Sequence, residues 1–189
     1  MMKKGTIVLI AIAAIVVLVI GYGVTKRNSF VSMREGINHK ASDIDVNLER
    51  RTDLIPNLIN TVKGYMKHEQ SIIDSVTSAR TQLINAKSME DKSNANKALD
   101  TAINNLLVVV ENYPDLKANQ NFISLQDELA GTENRLAIAR KDYNNAVSKY
   151  NSAIQMFPGS IIASLSKMEK VAYFEVSEGK SDVPQVNFE

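Results

Sequence analysis

Apolar and polar positions are arranged in two distinct ways along this chain. From Thr6 to Val24 they do not alternate: TIVLIAIAAIVVLVIGYGV is uncharged and almost wholly apolar, bracketed by Lys3-Lys4 and Lys26-Arg27. As a helix rising 1.5 Å per residue it spans roughly 28 Å, close to the hydrocarbon core of a bilayer at about 30 Å. Beyond it, apolar residues recur at alternating spacings of three and four, which puts them on one face of a helix. Four such stripes are present. The first is Phe30, Met33, Ile37, Ala41, Ile44, Leu48, and the second Ile55, Leu58, Val62, Tyr65, Ile72, Val76, Ala79, Leu83. The third is Ala98, Ala102, Ile103, Leu106, Leu107, Val110. The fourth, the cleanest, runs Phe122, Leu125, Leu129, Thr132, Leu136, Ala139, Tyr143, Val147, Tyr150, Ile154, Phe157.

Caps and breakers set the boundaries. Arg50 and Arg51 place cations where a helix C-terminus favours them, and Asp53 can cap a following helix with Pro56 in its first turn. An interior proline costs ~3 kcal/mol, so a break there is favoured. The stripe nevertheless crosses Pro56 in phase (Ile44, Leu48, Arg51, Ile55, Leu58), which leaves a continuous, kinked helix from the membrane to Leu83 as the alternative. Ser88-Met89-Glu90-Asp91 is a capping start for the third helix, and Tyr113-Pro114-Asp115 ends it. Because the third helix is shorter than the second, either the linker Tyr113 to Asn119 runs extended back up the bundle or the fourth helix overshoots the others. Phe157-Pro158-Gly159 ends the fourth helix, Ser160 can cap a short piece from Ile161 to Met168, and Ser177 to Glu189 is expected to be extended or disordered. The predicted fold is all-α: a single transmembrane helix followed by an antiparallel bundle of about four long helices. It divides into an anchor over 1–27, a bundle over 28–176 and a tail over 177–189.

A cleaved signal peptide also starts basic, but its apolar part is only about 7–15 residues and ends at a small-x-small site. Here the run is longer, and Gly21 and Gly23 flank a tyrosine, so the run is expected to stay as an anchor. No second run of this length follows, which predicts a single-pass protein. Lys26, Arg27, Arg34 and Lys40 after the run outnumber Lys3 and Lys4 before it, tilting the body toward the cytoplasm.

Composition narrows the chemistry. A net charge of +1 argues against nucleic acid as a partner, and the absence of cysteine removes disulfides and thiolate metal sites. His68-Glu69 opens like a zinc-protease helix, but the second histidine four residues on is missing. There is no phosphate loop, no G-x-S-x-G and no Glu-x-x-His. No catalytic, cofactor or metal residues are assigned, and the chain is expected not to be an enzyme.

Two polar rows accompany the stripes: Glu133, Arg140, Asn144 and Asn151 on the fourth helix, and Asn57, Gly64 and His68 on the second. They are either solvated flanks or a polar seam that fixes register; Asn57, His68, Glu133, Arg140 and Asn144 are its candidate members. Gly64 and Gly131, both expected mid-helix, would be explained by close helix approach. Tyr150, Ile154 and Phe157, in the last turns of the fourth helix, lie near the edge of the core. They form a candidate partner or oligomer surface, to be covered by the Ile161–Met168 piece, a second copy or the membrane interface.

Several motifs occur in a recognisable order. They begin with Arg50-Arg51-Thr52-Asp53-Leu54-Ile55-Pro56-Asn57-Leu58-Ile59, then Val62-Lys63-Gly64-Tyr65, His68-Glu69 and Ala79-Arg80. Next come Glu111-Asn112-Tyr113-Pro114-Asp115-Leu116-Lys117-Ala118, Thr132-Glu133-Asn134, Ile138-Ala139-Arg140, Tyr143-Asn144, Tyr150-Asn151 and Phe157-Pro158. Val183-Pro184-Gln185-Val186-Asn187-Phe188 closes the series. Together they resemble the LemA family of bacterial membrane proteins from about residue 28 to the end. Departures are Met66 where the family often has alanine, Ala41-Ser42-Asp43 where it has an aromatic-containing stretch, and Gly159-Ser160-Ile161. The resemblance implies a helical bundle anchored in the bacterial inner membrane, without enzymatic activity. It also implies a membrane-organising role of the kind attributed to a magnetosome-associated protein with a related domain. The expected function is a scaffold that self-associates and organises or remodels the membrane, with the lipid bilayer and further copies of itself as partners. The alternative is an adaptor docking to a membrane protease or signalling protein; a ligand sensor or enzyme using His68, Glu69, Glu133 and Arg140 ranks below both.

Overall fold

The computed structural model describes residues 4–66 and 68–174, so the expected tail, 177–189, lies outside the described residues. The elements are α1 (Lys4–Lys63), α2 (Gln70–Asn85), α3 (Met89–Val110), α4 (Pro114–Lys117), α5 (Gln120–Gln155) and α6 (Gly159–Leu165). Among the described residues there is no strand, in keeping with the all-α expectation. The chain divides into two compact units, one of residues 1–44 and 138–172, the other of 45–137 and 173–189. In the most apolar stretch of α1 no residue is buried, whereas a core helix of the same composition would be covered by protein.

In the first unit α5 runs antiparallel to α1. Lys40 Nζ meets Asp142 Oδ2 at 3.3 Å, and the Arg34 guanidinium lies 5.9 Å from the centroid of the Tyr150 ring. Phe30, Ile37, Ile44, Ala139, Tyr143, Val147, Tyr150 and Ile154 are buried between these helices and α6. The turn into α6 is tight and contains a cis Phe157-Pro158 bond. A Cβ at Gly159 would lie 2.5 Å from the Ala153 carbonyl oxygen and 3.1 Å from Phe30 Cζ, so only glycine fits. α6 starts at Gly159, which puts Ser160 inside the helix rather than at its cap. It closes with Lys167 in the left-handed region (φ 51°), as Met168 N–H donates to the Ala163 carbonyl at 2.9 Å and Lys167 N–H to that of Ser164 at 3.1 Å. The chain then returns along α5. Asn151 Nδ2 donates to the Val171 carbonyl and Val171 N–H donates to Asn151 Oδ1, both at 2.9 Å, and the Tyr143 hydroxyl donates to the Ala172 carbonyl at 2.9 Å. Burial of that hydroxyl raises the Tyr143 pKa.

The second unit is an up-down-up-down bundle of α1, α2, α3 and α5. The order follows from the short α2–α3 connection and from pairs such as Asp45–Lys92 and Tyr65–Asn119. Its core contains Ile55, Leu58, Val62, Val76, Leu83, Leu99, Leu106, Phe122, Leu129 and Leu136. Ser88 caps α3 as the sequence indicates: Asp91 N–H donates to Ser88 Oγ at 3.0 Å and Ser88 N–H to Asp91 Oδ2 at 3.2 Å. Hydrogen bonding of the carboxyl by the Ser88 side chain, and then by the Ser88 N–H, holds Asp91 below its ordinary pKa of 3.8.

Three boundary expectations are corrected here. The break favoured at Pro56 does not occur, because α1 passes through it to Lys63. Proline has no N–H for the carbonyl four residues back, and that orphan, on Thr52, accepts instead from Arg80 Nε of α2 at 2.9 Å. The continuous alternative to Leu83 fails too, since the helix stops at Gly64 and resumes at Gln70. Lastly, of the two alternatives for the Tyr113–Asn119 linker the extended run fails, because it carries the helical turn α4, and the overshoot holds, because α5 continues past the second unit to Gln155. Close helix approach explains neither glycine: Gly64 lies beyond the end of α1, and a Cβ at Gly131 would meet only the flexible Arg135 guanidinium at 3.5 Å.

Pro56→Ala should stabilise the full-length protein by up to ~3 kcal/mol in chemical denaturation in detergent. Arg80→Ala should cost about 1.5–3 kcal/mol with proline in place, and clearly less beside Pro56→Ala, where the alanine N–H reclaims the Thr52 carbonyl. A second outcome concerns pH. A carboxylate with a lowered folded pKa contributes stability that is present above its unfolded value and lost as pH falls through the folded one. Asp91→Ala should therefore narrow the gap in melting temperature between pH 7 and strongly acidic solution.

Candidate functional site

The second unit buries one complete cation. Arg51 falls in phase with Leu48, Ile55 and Leu58, so continuing α1 through this region turns it inward, and its side chain is 5% exposed. Its Nη1 donates to Asn96 Oδ1 of α3 at 2.8 Å and to Glu133 Oε2 of α5 at 2.6 Å, while Nη2 pairs with Asp100. Asn96, fully buried, also donates through Nδ2 to Asp100 Oδ2 at 3.1 Å. Arg51 Nε has no partner. The guanidinium fork thus joins three helices, and the two carboxylates that compensate it keep about a third of their exposure.

Beside this cluster lies a cavity of about 400 Å³. Leu58, Ile103, Leu107 and Leu129 form its apolar wall, and Arg51, Asp100 and Glu133 its charged edge. One guanidinium held by two carboxylates fixes helix register. Both carboxylates are engaged by the guanidinium.

The candidate residues of the polar seam occupy different settings. Glu133 belongs to the Arg51 cluster. Asn57 is exposed on α1, and His68 is exposed in the bend between α1 and α2, so neither belongs to a buried seam. Arg140 and Asn144, half-buried, lie further along α5 in the first unit. Arg51, Asn96 and Asp100 were not singled out from the sequence as members of a buried polar cluster. The available signal was a charge inside an apolar stripe rather than beside it. Of the proposed oligomer surface, Tyr150 and Ile154 are covered within their own unit, at 3% and 7% exposure, and Phe157 alone is open, at 81%.

A family model described as the LemA family matches residues 40–188. Among curated proteins, the chain is 27% identical to Magnetosome protein MamQ 2 of Paramagnetospirillum magneticum, with 89% of this chain and 70% of the relative covered. Identity is 26% to Magnetosome protein MamQ of Magnetospirillum gryphiswaldense, covering 78% and 64%. It is 25% to Protein LemA of Metamycoplasma hominis, covering 82% and 71%.

Removing the buried cation should destabilise the second unit. Arg51→Met is expected to cost ~3 kcal/mol, the low end for breaking a buried pair, because both carboxylates keep some access to water. Glu133→Gln should cost less, since Asp100 still compensates the guanidinium. Denaturant unfolding of both variants checks the order.

Proposed function

Because the chain belongs to the LemA family, we propose that it is a single-pass membrane protein whose helical body acts as a non-enzymatic scaffold, self-associating and organising the bilayer around its anchor. The supporting observation is α1 itself. An apolar stretch without a buried residue leads, with no break in the helix, into turns that carry the core residues Phe30, Ile37 and Ile44. The proposed division is an anchor over 1–27, a bundle over 28–176 and a tail over 177–189. The bundle faces the cytoplasm, on the strength of the cations that follow the apolar run. Likeness to proteins named for the magnetosome and to another named LemA supports a structural role, since none of these names is that of an enzyme.

The cysteine-free sequence makes the test direct. A single cysteine introduced as Val108→Cys, at an exposed position of α3, should yield self-linked multiples of the chain when a bifunctional maleimide is applied to cells. One dominant foreign partner in their place would favour the adaptor reading, with a membrane protease or signalling protein as the bound enzyme. Light scattering that finds only monomer in detergent at every concentration would overturn self-assembly. The same cysteine should resist a membrane-impermeant maleimide in intact cells if the body is cytoplasmic.

A further inference from the structure

α6 is amphipathic the wrong way round for a helix facing water. Its inward face is small, with Gly159 and Ala163 buried, while its outward face carries Ile161 at 53% and Leu165 at 81% exposure. The preceding turn adds Met156 at 66% and Phe157 at 81%. Four large apolar side chains are therefore exposed on α6 and the turn before it, where a soluble surface would carry charge.

The register of α1 against α5 says what lies next to them. Lys40 is level with Asp142, Arg34 with Tyr150, and Phe30 with the Ala153–Gly159 turn. Continued to its end, this pairing sets Gln155 level with about Asn28, four residues past the apolar run, or ~6 Å along the helix axis. The polar headgroup layer on each side of a bilayer is itself about 5–7 Å deep. Met156 and Phe157, beyond the end of α5, thus stand at the depth where headgroups meet acyl chains. Tyr22 and Lys26, with the ammonium 5.8 Å from the ring centroid, mark the same boundary on α1.

We propose that Met156, Phe157, Ile161 and Leu165 form a second membrane contact, inserting into the acyl-chain boundary of the bilayer in which the protein's own α1 is anchored. The occupant is lipid rather than a second copy, because the α1–α5 register sets Met156 and Phe157 at the depth where the apolar run ends. This rests on Thr6–Val24 spanning the bilayer, and the test separates the two ideas.

The chain has no tryptophan, so single reporters can be placed in the full-length protein reconstituted into vesicles of phosphatidylcholine and phosphatidylglycerol, with and without bromine on the upper acyl chain. Leu165→Trp and Phe157→Trp should show blue-shifted emission that the brominated lipid quenches. Ile138→Trp, exposed on α5 in the same unit and more than two turns from the patch, should emit as in water and escape quenching. Ile20→Trp, inside the run and about 6 Å short of its end, should be quenched whatever α6 does. Water-like emission from both patch reporters overturns the second contact while leaving the anchor intact. A blue shift without bromine quenching overturns it as well, in favour of a protein neighbour. An unquenched Ile20→Trp overturns the anchor and the second contact together.

Discussion

The bond from Arg80 to the Thr52 carbonyl is the constraint on which the second unit depends. Pro56 takes a hydrogen bond out of α1 at a point where the helix has the unit's core packed against it. An unanswered carbonyl there would cost about 1–3 kcal/mol, and a helix broken to satisfy it would turn the in-phase positions beyond it away from the core. Because α2 returns antiparallel and offers Arg80 at that level, the carbonyl is satisfied from outside. Leu48, Arg51, Ile55 and Leu58 then remain on one face, and the buried cation of the second unit is placed by the same continuity.

The two units use polar side chains in a common way, as substitutes for backbone or solvent at places that helices cannot reach. Arg80 stands in for a missing N–H. Asn151 presents its carboxamide to Val171 much as a neighbouring strand would, holding a non-helical return segment against α5. Arg51 gathers α1, α3 and α5 through one rigid fork whose directionality a hydrophobic contact would lack. Such groups add specificity more readily than stability, since each must first be desolvated.

Much of the fold is legible in the sequence because its signals are local. The long stripe of α5 is buried from Phe122 to Ile154, apart from the half-buried Leu125, and Ser88 caps α3. What misleads is any feature whose compensation comes from far along the chain. The cost of Pro56 is visible locally, but its remedy is Arg80, on the next helix. The stop at Gly64 is hidden because Val62 and Tyr65 keep the stripe in phase across it. The candidate site suffers in the same way: Arg51 reads as a helix-terminal cation while the helix is assumed to end, and becomes a core residue once it does not. Tyr150 and Ile154 read as open because the return of residues 166–172 along α5 has no periodic signature.

The antiparallel descent of α5 along α1 has a consequence for timing. The apolar run of α1 is synthesised well before the turn that comes level with its end, which lies more than a hundred residues further along the chain. Sequence separation between groups that meet is a kinetic cost, since the intervening loop must close first. The apolar run is therefore available for placement while the body is still being synthesised, but α6 takes its place beside Phe30 only after α5 has formed. Its arrival there reports that α5 is already in place.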